Sequence, residues 1–574
     1  MGGWPRSLTH AGALFAAAVA LGGAGCSGLA PYGEALVIVD TDARDPRYVN
    51  RMRMDLYSAD GSTWFESRDV SLRDDRDWPA SFSLYNEDTT RDKVALLRIR
   101  LYLGGRERDY HGERLTIRDG SGAPGDSAIP KAPDCGDPAV CELPRLSTGP
   151  TPRAEPDPYL ASDRLVKVRL QPGVRGALHL VLHGACIGTM ADIQTQRTCV
   201  DTDGTYVDAG EATLDPDMSI PPVVAPTFGQ PQPCPKAATP RPATSGKRLF
   251  DPEVCIDGGT FVFGNSIYAS PAPDSGAPQR IARLPAFYVD KYEVTVARWR
   301  AALARGFTPP TPPTANTQRL TRDTCTPPPP SDTRWCTYTT TPGVPEDREA
   351  YPLSCVTWDS ARAFCQFEGG DLPTEAQWEY VAQVAGRDQK SDFPWGSELP
   401  TCLSTHANDR GVNNRDRGVF NRIWECSGTW HSLGFCIAAR GNTDRTTACN
   451  AGNNNRDLCG NSVPSLNARQ GPQPEDATDT GDGDRSVGAE VVNLFGSMNE
   501  YTYDSFYSLE SQCWAAASQN APSCSDPAQP LHTLRGGSWV TASSSGARLK
   551  PETKALSATA PQIGFRCVRP LEDP

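Results

Sequence analysis

At 574 residues the chain is too long for a single hydrophobic core, which sets the expectation at two or three domains. Its net charge of −13 argues against nucleic acid as a partner, because phosphate binding needs a basic face. Its 19 cysteines include no Cys-x-x-Cys pair, which argues against zinc ribbons and thioredoxin-type redox motifs.

In chain order, residues 1–26 read as an export signal. Arg6 supplies the positive start, Ala11 to Leu21 is a short apolar run, and "GGAGC" closes it with small residues. A run this short does not span a bilayer. The ending resembles a bacterial lipobox with Cys26 as the lipidated residue, although Gly23 stands where leucine is usual. That predicts export to a bacterial envelope and a lipid anchor on a membrane, with simple cleaved secretion as the alternative. Without Cys26, 18 cysteines remain, an even number that suits disulfides in an oxidising compartment. Close spacing brings out Cys135 with Cys141, Cys186 with Cys199, Cys325 with Cys336 and Cys513 with Cys524.

Residues 27–212 carry short runs of period-two alternation such as "EALVIVD", "RMRMDLYS" and "VALLRIRLYLGG", punctuated by glycine turns. They predict an all-β, sandwich-like domain. His179 and His183 fall four apart in one such run. Metal binding is one reading, and packed or surface strand histidines are the plainer one. Residues 213–250 are rich in Pro, Ala, Thr and Gln and read as an extended linker.

From 251 to 574 the pattern becomes α+β, with insertions near 308–345 and 402–470. Thr295 is placed to cap a helix bearing Val296, Trp299 and Leu303. Thr357 or Asp359 starts a second, with Phe364 and Phe367 for its buried face. Thr374 and Gln377 have capping-box spacing at the head of a third. The second insertion contains Cys402, Cys426, Cys436, Cys449 and Cys459 and has little apolar periodicity.

Eight segments, "GGTFVFG", "YVDKYEVTVARW", "PLSCVTWDSARAFC", "LPTEAQWEYVA", "FPWG", "NLFGSMNEYTYD", "LRGGSW" and "IGFRC", occur in the order of one family. This half of the chain resembles the formylglycine-generating enzymes, also called sulfatase-modifying factors. The resemblance implies an irregular α+β fold shared with C-type-lectin-like proteins. In oxidase members two cysteines after the Gly-Gly-Ser-aromatic turn hold Cu(I), a soft ion suited to thiolates. Ungapped from Gly536, those positions are Thr541 and Gly546, so copper is not expected. Ala382 and Pro551 stand where a second family disulfide would be, while Cys365 and Cys567 match the first.

Arg535, Ser538, Trp539 and Arg548 match positions around the family's substrate groove, or else they pack the turn. "NLFGSMNE" matches a calcium loop, implying ligands from Asn493, Gly496, Met498 and Glu500, all oxygen donors. An ordinary turn is the alternative. A second calcium site would draw on Asn408, with Asp479, Asp482 and Asp484 as further candidates.

Three functions from different classes follow. The first is an envelope lipoprotein whose domain, without its oxidase centre, binds a peptide, protein or glycan or acts as a scaffold. The second is an enzyme of altered chemistry. The third is a formylglycine-generating oxidase that uses other cysteines, such as Cys426 or Cys436.

Overall fold

The computed structural model describes residues 32–109, 154–193, 195–234, 252–264, 279–319, 333–391, 394, 491–494, 498–509, 511–517, 519–536, 552–555 and 559–571. The N-terminal β domain is built from β1 (Gly33–Thr41), β2 (Arg51–Ser58), β3 (Trp64–Ser71), β4 (Ala80–Asn86), β5 (Lys93–Tyr102), β6 (Glu107–Asp109), β7 (Ala154–Pro156), β8 (Ser162–Leu170), β9 (Arg175–Leu182), β10 (Arg197–Cys199), β11 (Tyr206–Asp208) and β12 (Glu211–Ala212). Two sheets, β4-β1-β9 and β12-β8-β5-β2-β3, supply one core. Alternation decides the faces. Met52, Met54 and Leu56 of β2 and Leu97, Ile99 and Leu101 of β5 meet Val37 and Val39 of β1 in that core.

The opposite face of the five-stranded sheet buries a polar cluster beside a small apolar one that includes Tyr57, Leu96 and Leu165. Arg53 meets both Asp55 and Glu155 at 3.1 Å, and Arg100 pairs with the same two carboxylates, closing a four-membered ring. Arg98 pairs with Asp163 beside it. Glu155 belongs to β7, so the ring pins that short strand to the sheet.

The C-terminal half runs β13 (Glu253–Ile256), β14 (Gly259–Phe263), β15 (Arg280–Leu284), β16 (Phe287–Asp290), α1 (Val296–Ala304), α2 (Trp358–Phe367), α3 (Glu375–Gln383), β17 (Asn499–Ser505), α4 (Gln512–Ala516), β18 (Leu531–Arg535), β19 (Glu552–Ala555), β20 (Ile563–Gly564) and β21 (Val568–Pro570). Its sheets are small: β13-β16-β21, the β14-β15 hairpin and β19-β18-β17-β20. The local helix signals act as the sequence implies. Thr295 accepts from the Arg298 amide, Thr357 from Ser360, and Thr374 and Gln377 form the reciprocal box. Thr357, rather than Asp359, is therefore the cap of α2. Phe364 is fully buried against Trp299, but Phe367 is 39% exposed, with Arg305 stacked over it.

Five disulfides occur among the described residues: Cys186–Cys199, Cys234–Cys255, Cys336–Cys355, Cys365–Cys567 and Cys513–Cys524. Sequence proximity misassigns one pair, since Cys336 joins Cys355 and not Cys325. Such bridges suit an exported protein. Among the described residues no helix is long and apolar enough to cross a membrane.

The described part of the Pro-rich segment, up to Cys234, is docked rather than free. The Val224 amide donates to Asp40 at 2.6 Å, and Phe228 is buried in the core of the β domain. Cys234 ties its end to β13. The two histidines are not a pair on one strand. His179 is exposed on β9, whereas His183 lies past the strand end, 3.2 Å from Asp42. Among the described residues no three or more His, Cys, Asp or Glu side chains gather as a metal site.

Candidate functional site

Two buried clusters flank the start of the Arg-Gly-Gly-Ser turn. The first is organised by Arg535 at the end of β18. Its guanidinium is 3% exposed and lies 2.8 Å from Glu375 and 2.7 Å from Glu379, one turn apart on α3. Lys390 reaches Glu379 at 2.5 Å. Asp504 on β17 accepts from the amides of Glu375 and Cys524, and its electrostatic neighbours include Glu375 and Arg535. Burial pushes the Asp504 carboxyl up to about 8, with Glu375 adding to the rise. Burial also raises Glu375, which Arg535 only partly offsets. Glu379 lies below its ordinary range, because Lys390 and Arg535 together outweigh its burial.

Gly536 follows at φ +97°, where a Cβ would stand 2.8 Å from the Leu494 carbonyl and 3.2 Å from the Trp378 ring. Only glycine suits that corner. Arg535 is held inside by its two carboxylate partners and its burial, as the packing alternative expects. Ser538, Trp539, Thr541, Gly546 and Arg548 lie outside the described residues.

The second cluster contains three of the residues matched to the calcium loop. Asn493 (φ 63°), Met498 and Glu500 are buried. Glu500 Oε2 accepts from Arg566 Nε at 2.7 Å and Trp378 Nε1 at 2.8 Å, while its Oε1 accepts from Arg566 Nη2. Burial raises the Glu500 carboxyl, Arg566 counters it, and Glu293 raises it further. Glu293 was not singled out from sequence. Its carboxylate accepts from Asn493 Nδ2 and from the Met498 amide, each at 3.1 Å. The only local sign was an acid in "YEVT", and its partners lie about 200 positions away.

The donor chemistry fits a calcium ion. Glu293 and Glu500 are buried carboxylates that repel each other, and Arg566 pairs with Glu500; with both ionised, one negative charge is left that a divalent cation would offset. Gly496, Asn408, Asp479, Asp482 and Asp484 lie outside the described residues. The donor set does not fit Cu(I) among the described residues, because all ten of their cysteines are in disulfides and offer no thiolate.

Residues 238–571 match the description of the sulfatase-modifying factor enzyme 1-like domain, more than half of the chain. The chain belongs to that family. It is 30% identical over 187 residues to a formylglycine-generating enzyme of Thermomonospora curvata, covering 28% of this chain and 56% of that one. It is 39% identical over 57 residues to an inactive C-alpha-formylglycine-generating enzyme 2 of Bos taurus, covering 10% and 18%. The chain thus spans little more than half the length of the first of these relatives. Among solved structures, PvdO from Pseudomonas aeruginosa aligns over 58% of this chain and all of its own, at 16% identity and a TM-score of 0.35.

Proposed function

We propose that this is an envelope lipoprotein whose family domain binds a peptide, protein or glycan ligand, or acts as a scaffold, without oxidising a cysteine. The observation carrying this is the donor set. Every described cysteine is committed to a disulfide, and the resemblance, aligned without gaps from Gly536, puts Thr541 and Gly546 at the family's two copper-thiol positions. A hydroxyl and a hydrogen do not replace thiolates at a soft-metal site. The likeness to a relative named as inactive agrees with this. The packed frame of Arg535, Glu375 and Glu379 supports a retained fold beneath the turn. In this reading calcium is bound by Asn493, Gly496, Met498 and Glu500 as a structural ion.

The alternative is an active formylglycine-generating oxidase, favoured by the 30% identity to such an enzyme. It would need thiols from outside the described residues, such as Cys426 or Cys436. The full chain, fractionated from cells and treated with Cu(I), is given oxygen and a Cys-x-Pro-x-Arg peptide. Mass spectrometry then looks for an aldehyde. No turnover is expected, and turnover that requires the protein overturns the proposal. Recovery in the membrane fraction, lost in Cys26→Ser, is expected from the anchor; a soluble wild type removes it.

A further inference from the structure

The hairpin of β14 and β15 has two apolar faces, and they enter two different cores. Phe261, Phe263, Ala282 and Leu284 lie in the core of the C-terminal half with Trp378 and Trp514. Register and alternation put Thr260, Val262, Ile281 and Arg283 on the other side, because Thr260 pairs with Arg283 and Val262 with Ile281. Ile281 is 6% exposed and belongs to the core of the N-terminal β domain, and Val262 packs against that same core. A strand that is apolar on both faces is stable only when both are covered.

Polar and aromatic contacts surround this apolar centre. Tyr48, between β1 and β2, donates its hydroxyl hydrogen to the Thr260 carbonyl. Arg283 stacks on Phe228 at 5.1 Å, and Arg280 on Tyr159 at 4.9 Å. Gln519, whose carbonyl accepts from the Arg283 amide alongside β15, donates to the Ile187 carbonyl. The Tyr48 and Ile187 partners lie before residue 238, where the family match begins. The surface they meet lies inside that match.

We infer that the outer face of this hairpin is an interaction surface fitted to the chain's own N-terminal β domain, so that the two halves fold and unfold as one unit. The hairpin is their common wall. The β domain is then a fixed part of the family domain and not a module on a tether. This goes beyond the binding reading and does not depend on the ligand, on calcium or on the absence of copper.

The test uses the full chain with its disulfides intact. Thermal unfolding is followed by calorimetry, and hydrogen exchange is read separately on β1 and β5 and on β16 and β17. A single transition is expected, with Ile281→Asp lowering its midpoint by many degrees and speeding exchange in both halves together. If that variant does not fold, Tyr48→Phe removes one hydrogen bond with almost no change of volume. It should lower the midpoint by a few degrees, again with both halves moving together. Two separate wild-type transitions, or a loss of protection confined to one half, would overturn the inference.

Discussion

The two halves of the molecule both bury charge, but they balance it differently. In the β domain, Arg53 and Arg100 face Asp55 and Glu155, and Arg98 faces Asp163, so cations and carboxylates are equal in number. In the C-terminal half, Arg298 and Arg305 with Asp290 and Glu368 are likewise balanced, but two clusters are not. Glu375, Glu379 and Asp504 share Arg535 and Lys390, while Glu293 and Glu500 repel each other and Arg566 pairs with Glu500. Each of those clusters has one carboxylate too many. A neutral ring is complete in itself and serves the fold. A cluster with a charge to spare takes up a proton or a cation, and therefore responds to its surroundings.

The largest expected effect breaks the balanced ring. Arg100→Ala leaves Asp55 and Glu155 sharing Arg53 in a buried place, and one-sided removal of a buried ion-pair partner costs about 3–5 kcal/mol. Denaturant unfolding of the full chain should show that loss. A change below about 1 kcal/mol would mean that water reaches the ring and that the two halves do not differ as described.

The next effect concerns the Glu293–Glu500 cluster. Calcium at about a hundred times its dissociation constant should stabilise the protein by about 2.7 kcal/mol, and EDTA should remove that gain. Glu500→Gln takes away the excess charge together with a ligand, so its stability should not respond to calcium, whatever its starting value. An equal calcium response in Glu500→Gln would place the ion elsewhere. An unchanged wild-type midpoint would leave the excess charge to a proton.

How much of this contrast is legible in the sequence depends on distance along the chain. The helix caps at Thr295, Thr357 and the Thr374–Gln377 box were readable because each is made within three residues. So were the short pairs Cys186–Cys199 and Cys513–Cys524. The same habit of choosing the nearest partner failed for Cys336, which bonds 19 residues away to Cys355. Alternation put Arg53 and Asp55 on the face of β2 opposite Met52 and Met54, yet nothing local said that β7 would cover that face. The runs "TFVF" and "RIARL" are too apolar for a half-exposed hairpin, but the identity of the second core is a tertiary fact. Glu293 was missed for the same reason. The candidate site was read mainly through family resemblance, and the thiol positions at its centre lie outside the described residues.

The smallest effect is a slope with pH, and its sign separates the Asp504 cluster from the balanced ring. The Asp504 carboxyl rises from an ordinary 3.8 to about 8, chiefly through burial and then through Glu375. The folded state therefore holds a proton that the unfolded state releases above 3.8. Stability from this group is fully present below that value and is lost as pH rises toward 8. His532 opposes it over part of the range. Its ring, stacked on Trp358 at 3.8 Å with Nδ1 facing the Asp504 carbonyl, is pushed by burial from 6.5 down to about 4. Folding disfavours the charged imidazole, so this group costs stability as pH falls below 6.5 and the cost lessens as pH rises from about 4. The two slopes offset each other between about 4 and 6.5. Between about 6.5 and 8 the His532 contribution has ended, and the Asp504 contribution lowers stability there by at most about 1.4 kcal/mol per pH unit. Asp504→Asn should flatten that window while Arg100→Ala should leave its slope intact, measured as denaturation midpoints across pH 6.5 to 8. A flat wild-type profile there would show that the third carboxylate has found a cation instead of a proton.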